Sequence, residues 1–341
     1  MNDRKERENK KIIIRLPNWI GDAVMATPFL HAARVVFPEA HITLAGRKRV
    51  MEILLHFPGF EERWEIDSLT MRSLVRKVRA GGFDMGFLLT NSFRSALVFF
   101  LGRVKDRIGY ALDFRRIFLN HPLAPRGEIL NLSMVDYYLN LLLGYTDLTR
   151  IERVMKLYPS EQEREKANSL LLRSGWDGAS RLAGINPFSY QWVTKRWFPE
   201  RFAEVADRLT EQYHVHCVFV GEEKDMALFE KIKGLCRNSL IDLVGKAPLP
   251  VIPALLEKYS LFITNDSGLM HVAAAMDTPL VAIFGPTDWR RTAPWSRRAT
   301  LIRKSQDHEP CMKPNCSRNF ACMAEITPED VLSAAAKYLN D

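Results

Sequence analysis

The residues able to do chemistry fall in a few short segments. In Asn18-Trp19-Ile20-Gly21-Asp22, the aspartate follows an Ile-rich run and opens the next helical stretch. Gly21 permits a tight turn or a close approach by a ligand. A carboxylate in that place can take a proton from an attacking hydroxyl. It can equally be an N-cap, a position that Asp favours.

Thr264-Asn265-Asp266-Ser267-Gly268-Leu269-Met270-His271 joins an apolar run to a helix. Backbone N–H groups and the dipole at a helix start favour anions. Ser267 adds a hydroxyl, Gly268 removes side-chain obstruction, and His271 lies one turn in, so the segment suits a diphosphate. The alternative is Asp266 or Ser267 as an ordinary cap, with His271 on a packed face. In Asn186-Pro187-Phe188-Ser189, with Lys195 and Arg196 before Trp197, two cations in one loop could neutralise phosphates or simply be solvated. Gly221-Glu222-Glu223 follows a strand-like run, where a carboxylate accepts hydrogen bonds from ribose hydroxyls or merely charges a helix start.

Several motifs are missing. No dinucleotide fingerprint of spaced glycines stands at the first turn, where Pro17-Asn18-Trp19 is found instead. This argues against a sugar-nucleotide epimerase or dehydrogenase. There is no Gly-Lys-Ser/Thr phosphate loop and no Asp-x-Asp pair at a strand end. Activation of a phosphate leaving group would then fall on helix dipoles and Lys195, with no metal. Cys311, Cys316 and Cys322, even with His308, lack zinc-like spacing and read as free thiols, as do Cys217 and Cys236.

These segments need elements to hold them. Strand-like runs at Lys11 to Leu16, His41 to Ala45 and Phe83 to Leu89 alternate with helical ones at Asp22 to Phe37, Val50 to His56 and Phe93 to Leu101. Residues 110 to 130 read as a long loop, followed by a helix over Leu130 to Leu143. A helix from Ser160 to Arg173, with Ser160 and Glu163 as a capping box, precedes a boundary near Gly175 to Ser180. The alternation then restarts, with strands at Leu182 to Asn186, Val215 to Val220, Ser260 to Thr264 and Pro279 to Phe284. Helices are expected over Pro199 to Tyr213, Lys224 to Leu235, Gly268 to Met276 and, after Thr327, Pro328 to Leu339. The pattern predicts two doubly wound α/β domains, with ligands beyond the carboxyl ends of the strands and in the cleft between the domains.

The chain has 341 residues, enough for two domains, with 47% hydrophobic and 26% charged residues. Lys and Arg number 48 against 40 Asp and Glu, a surplus of +8 that favours acidic partners. The polar tail 1–10 has no apolar middle for a signal peptide, and no run approaches bilayer length, which predicts a cytoplasmic protein. The cations are dispersed and lack interleaved aromatics, against a nucleic-acid binder.

Arg15 to Thr27 (RLPNWIGDAVMAT), Asn186 to Phe202, Asn265 to His271 (NDSGLMH), Phe284 to Thr292 (FGPTDWRRT) and Cys322 to Pro328 together resemble the ADP-heptose:lipopolysaccharide heptosyltransferases of glycosyltransferase family nine. The first segment is most similar to the branch that adds the second heptose. The resemblance implies the GT-B fold, two Rossmann-like domains facing across a cleft. The acceptor domain would span 11–175 and the donor domain 180–326, with a closing helix, 327–341, that often crosses back. It implies an inverting, metal-independent transfer of heptose from ADP-heptose to the lipopolysaccharide inner core, without a cofactor. Asp22 matches the general base. Lys195 matches the lysine on the donor phosphates, Asp266, Ser267, Gly268 and His271 match the donor loop, and Ser189 lies in the phosphate loop. Glu223, with Glu222 adjacent, matches the ribose-binding carboxylate. Relatives often carry a small residue where this chain has Phe188. For the phosphorylated, lipid-linked acceptor we assign Asn18, Arg115 and Arg116. Arg94, Arg103, Lys105 and Arg107 in the same half are expected to face that acceptor or the inner membrane surface. The alternatives are a transferase of this fold using another nucleotide sugar, or a non-catalytic nucleotide-sugar-binding protein, which would not need Asp22.

Overall fold

The computed structural model describes residues 10–124, 127–190, 192–304 and 310–340. Most of the expected polar tail, and His308, lie outside the described residues. The chain divides into two compact units, the first ending at Lys156 and the second starting at Leu157.

The first unit runs β1 (Lys11–Arg15), α1 (Ile20–Met25), α2 (Thr27–Val36), β2 (His41–Gly46), α3 (Lys48–Ile53), β3 (Glu62–Glu65), α4 (Met71–Gly81), β4 (Met85–Leu88), α5 (Phe93–Leu101), β5 (Asp106–Tyr110), β6 (His121–Leu123) and α6 (Met134–Leu139). Its strands are parallel in the order β3-β2-β1-β4-β5-β6. Ile12, Ile13 and Ile14 of β1 are fully buried, because a central parallel strand is covered on both faces.

The single helix expected over Asp22 to Phe37 is two. They meet at Ala26. Pro28 has no N–H for the carbonyl of Val24, four residues back, and the Thr27 hydroxyl donates to that oxygen instead, at 2.7 Å.

The second unit runs α7 (Glu161–Arg173), β7 (Leu182–Asn186), α8 (Pro199–Tyr213), β8 (His216–Phe219), α9 (Met226–Leu235), β9 (Ile241–Asp242), α10 (Ile252–Leu256), β10 (Tyr259–Asn265), α11 (Gly268–Ala275), β11 (Leu280–Ile283), α12 (Trp289–Thr292), β12 (Ala299–Ile302), α13 (Ala321–Ala324) and α14 (Pro328–Leu339). The parallel order, β12-β11-β10-β7-β8-β9, is the first unit's order read from the other edge. In each sheet the first and fourth strands of the unit are neighbours, β1 with β4 and β7 with β10. The strand order reverses there, and this point opens the ligand crevice in Rossmann-type sheets.

The division between units falls ahead of α7, not after it as expected. Ser160 and Glu163 do form the capping box, but α7 packs against α10. Arg164 there holds Glu257 through two bonds of 2.7 and 2.9 Å. The polar stretch near 175–180 is a tight turn, in which the Asp177 carboxylate accepts from the N–H groups of Ala179 and Ser180. The closing helix packs on the second unit's own core, with Val331, Leu332, Ala335 and Leu339 among its buried residues. The Trp197 indole fixes the chain just before it by donating to the carbonyl of Ile326 at 3.0 Å.

Candidate functional site

The two loops at the reversal point of the second sheet are tied to each other. Asn265, ending β10, donates its side-chain N–H to the carbonyl of Pro187 at 2.7 Å and accepts from the N–H of Trp197 at 3.1 Å. Asn186, ending β7, accepts at 3.3 Å from the hydroxyls of Thr264 and Ser267. Ser189 is buried with its hydroxyl 3.4 Å from the carbonyl of Asp266. Phe188, where relatives often have a small residue, turns inward and is 3% exposed. A Cβ at Gly221 would meet its ring at 2.4 Å, so the ring fills the core and leaves the outer side of the loop open.

Asp266 is the hub of the site. Its Oδ2 accepts from the Thr287 hydroxyl at 2.7 Å and pairs with the Lys195 ammonium at 2.8 Å. Ser267 occupies the N-cap position of α11, but its side chain makes no capping bond there; it is turned to Thr264 and Asn186. The first N–H groups of α11 thus have no side-chain cap, which leaves them for an anion. Gly268 starts the helix next to them.

His271 is 4% exposed, and its Nδ1 has no hydrogen-bond partner among the described residues. Burial pushes its imidazole down to about 4, with Asp266 opposing and Lys195 reinforcing. The ring is neutral near pH 7 and can offer the site a dipole but no charge. The sign of its stability linkage is set by that depression. The unfolded chain binds this proton near pH 6.5 and the native state only near pH 4, so stability falls as pH drops through that window. Replacing His271 with Gln is expected to flatten this acid limb, measured as denaturation midpoints between pH 4 and 6.5.

Glu222 and Glu223, alternatives by sequence, part company. The Glu222 carboxylate pairs with Lys224 at 2.7 Å and takes part in a capping box with Asp225. Glu223 is exposed, and its carboxylate has no bonded partner among the described residues. Gly245, with φ of +71°, comes so close that a Cβ would lie 3.1 Å from the Cα of Glu223. Lys224 lies 4.2 Å from the centre of the Tyr190 ring, which joins this turn to the Ser189 loop.

In the first unit, Asp22 also stands beyond the end of a central strand. The N-cap of α1 is Trp19, and Asp22 is the third residue of the helix, so it does not cap. The Tyr138 hydroxyl on α6 donates to its Oδ1 at 3.2 Å.

Asn18 accepts from the Arg15 guanidinium at 2.6 Å, so it braces Arg15 rather than standing alone. Burial pushes Arg15 down to about 10, with Arg47 and Arg94 adding to the shift and Asp67 opposing it. Arg15 ends the central strand β1 seven residues before Asp22, and a cation in that place marks it as part of the site.

Arg115 corrects the sequence expectation. It is fully buried and does not face an acceptor. Its guanidinium donates to the carbonyls of Tyr110 (2.7 Å) and Thr90 and to the side chain of Asn91 at 3.2 Å. Burial lowers it to about 10. Only its neighbour Arg116 is exposed. Arg115→Ala is expected to cost about 3 kcal/mol or more, because it leaves buried acceptors without donors and opens a cavity. The check is the denaturant midpoint, with the acceptor KM of the folded fraction unchanged.

Lys105 is paired with Asp84 at 2.7 Å, and Arg107 donates to the carbonyl of Phe118 at 2.6 Å. Among the described residues no disulfide joins the cysteines. Among the described residues no His, Cys, Asp and Glu group of three could hold a metal, and no helix is long and apolar enough to cross a membrane.

The model of glycosyltransferase family 9 (heptosyltransferase) matches residues 71–321. Lipooligosaccharide heptosyltransferase 2 of Campylobacter jejuni is 28% identical, over 97% of this chain and 99% of its own length. Lipopolysaccharide heptosyltransferase 2 of Salmonella typhimurium is likewise 28% identical, over 97% and 99%. Among solved structures, E. coli ADP-heptose lps heptosyltransferase II superposes with a TM-score of 0.80 at 26% identity, covering 97% of this chain and 98% of that one. A family 9 glycosyltransferase of Veillonella parvula gives 0.86 at 25% identity, covering 98% of each. These neighbours carry the GT-B fold that the paired sheets imply. The family match enters at α4 and continues through the whole second sheet, past Lys195, Asp266 and Thr287, so the chain belongs to glycosyltransferase family 9, the heptosyltransferases, and is a sugar-transferring enzyme.

Proposed function

We propose that the protein moves heptose from ADP-heptose onto a hydroxyl of the lipopolysaccharide inner core, with inversion, without a metal, at the cytoplasmic face of the inner membrane. The acceptor is a phosphorylated, lipid-linked glycan. The observation that carries this reading is the α11 start, left uncapped by Ser267 beside the Lys195–Asp266 pair at the point of strand-order reversal. That arrangement suits a sugar diphosphate, and relatives aligned over nearly their whole length are named heptosyltransferases.

In the proposed reaction Asp22 takes the proton of the acceptor hydroxyl. That oxygen bonds to the anomeric carbon of the heptose from the face opposite the diphosphate. The carbon–oxygen bond to the phosphate breaks, and ADP leaves with the electron pair. Negative charge grows on the departing phosphate, where Lys195 and the N–H groups of α11 stabilise it. Glu223, whose carboxylate is uncommitted, accepts from the ribose hydroxyls.

A donor panel tests the reading. ADP-heptose is expected to be used far better than ADP-glucose or UDP- and GDP-sugars, and a chelator is expected to leave turnover unchanged. The product linkage, read by NMR, should be inverted relative to the donor. Comparable kcat/KM with a UDP-sugar would replace the donor assignment, and loss of turnover with chelator would end the metal-free mechanism.

A further inference from the structure

A helix between parallel strands must bury one face, and α5 does so with Ser95, Ala96, Val98 and Phe99. Its outer face is not the polar one expected of a helix turned to water. Phe93, Phe100 and Leu101 are 43%, 45% and 39% exposed. The short turn Arg115–Phe118 lies on this helix through Phe118, whose ring centre is 5.0 Å from that of Phe93 and 5.4 Å from that of Phe100. The same turn presents Phe114 and Ile117, which are 94% and 74% exposed. Phe114 also holds φ of +55°, a conformation that Asn or Gly adopts more easily. Burial inside the unit does not account for a phenylalanine there.

Cations stand around the patch, with Asp113 as the acidic neighbour of Phe114. Arg94, Arg103 and Arg116 are exposed, and none forms an ion pair among the described residues. The neighbouring α4 packs beside α5 and contains Arg72, Arg76, Lys77 and Arg79 but no acidic residue. Arg79 ties the two helices by donating to the carbonyl of Leu101 at 2.7 Å. β4, which leads into α5, pairs with β1, so the start of α5 lies at the sheet end that carries Asp22.

Exposed aromatic and aliphatic side chains among unpaired arginines complement an anionic bilayer: the apolar groups enter the headgroup boundary and the cations meet lipid phosphates. We propose that α5 with the Phe114–Phe118 turn docks the enzyme on an anionic membrane surface. Phe114 and Ile117 enter the acyl boundary, while Arg94, Arg103 and Arg116 engage the phosphates. This inference deepens the proposed location at the membrane face by naming the surface that makes the contact, and it stands whichever sugar is transferred.

The test is co-sedimentation of the full chain with vesicles of phosphatidylethanolamine and phosphatidylglycerol, and with vesicles of phosphatidylcholine, without substrate. The wild type is expected to bind the anionic vesicles and to prefer them to the neutral ones. Phe114→Asn with Ile117→Ser is expected to weaken that binding at least about tenfold, since two inserted side chains are lost. Asn suits the backbone at that position, so the thermal midpoint should hold. Arg94→Gln, Arg103→Gln and Arg116→Gln together should remove the preference for anionic lipid. Phe114→Trp gives a second measurement: its emission should shift to the blue on anionic vesicles beyond the wild-type change. Equal binding by the Asn/Ser variant, no binding by the wild type, or no added shift from Trp would each overturn the proposal. So would a wild type that ignores vesicles but dimerises through this face, with the dimer lost in the Asn/Ser variant.

Discussion

Asp22→Asn is expected to lower kcat by about a hundred- to ten-thousandfold, the usual contribution of one positioned base, and to leave the donor dissociation constant within about twofold, since Asn still fills the site. The substitution is nearly isosteric. Its side-chain oxygen can still accept from the Tyr138 hydroxyl, which lies 3.2 Å from Oδ1, and Trp19, not Asp22, occupies the N-cap. The groups assigned to the donor belong to the second unit and are untouched. What disappears is the ability to accept a proton. Steady-state kinetics with saturating acceptor, together with calorimetric titration of the donor, separate the two quantities. Turnover near the wild-type rate would make Asp22 a structural residue. A wild type that binds the donor and never turns over would make the protein a binder.

Local structure was legible in the sequence where an element carries a clear apolar pattern and a marked end. The expected bounds of β7, α5, α8 and α14 coincide with those observed, because these elements combine a clear apolar pattern with a Pro, a cap or a glycine at an end. The edge strands β3, β6, β9 and β12 went unseen, and so did β5, which lies between β4 and β6. Strand β3 reads Glu-Arg-Trp-Glu and β9 is two residues long; an edge strand needs no continuous apolar run and is often short and charged. The division of helix α1 from α2 could have been read from Pro28, and the unit boundary could not, since a polar turn within a domain resembles a linker in composition.

The site separates along the same line. Asp266, Ser267 and Lys195 announce themselves by position after strands. Thr287 and Tyr138 act through contacts with Asp266 and Asp22 that local spacing does not reveal. Arg115 and Arg116 are adjacent and chemically identical, yet one is sealed among carbonyls and the other is exposed. The turn that separates them depends on the packing of Phe118 on α5, a tertiary fact.

Lys195→Met is expected to reduce kcat/KM by about a hundred- to a thousandfold, the scale for losing one preorganised group that meets developing charge. The interpretation needs a control, because the ammonium does two things at once. It is placed to meet the leaving phosphate, and it already neutralises Asp266, whose side chain is only 6% exposed. Removing the cation leaves that carboxylate with the Thr287 hydroxyl, at 2.7 Å, as its remaining bonded side chain. A loss of stability should follow, smaller than the about 3–5 kcal/mol of a fully buried pair, since the lysine itself is 22% exposed. Adding Asp266→Asn to Lys195→Met removes the stranded charge. Thermal stability should then recover while turnover stays low, because nothing has been restored to the phosphate. Such non-additivity in stability without recovery of rate is the signature of a lysine that acts on the donor. If the double variant regains the wild-type rate, Lys195 serves only as a counter-ion to Asp266, and the charge on the departing ADP must be met by the α11 N–H groups alone.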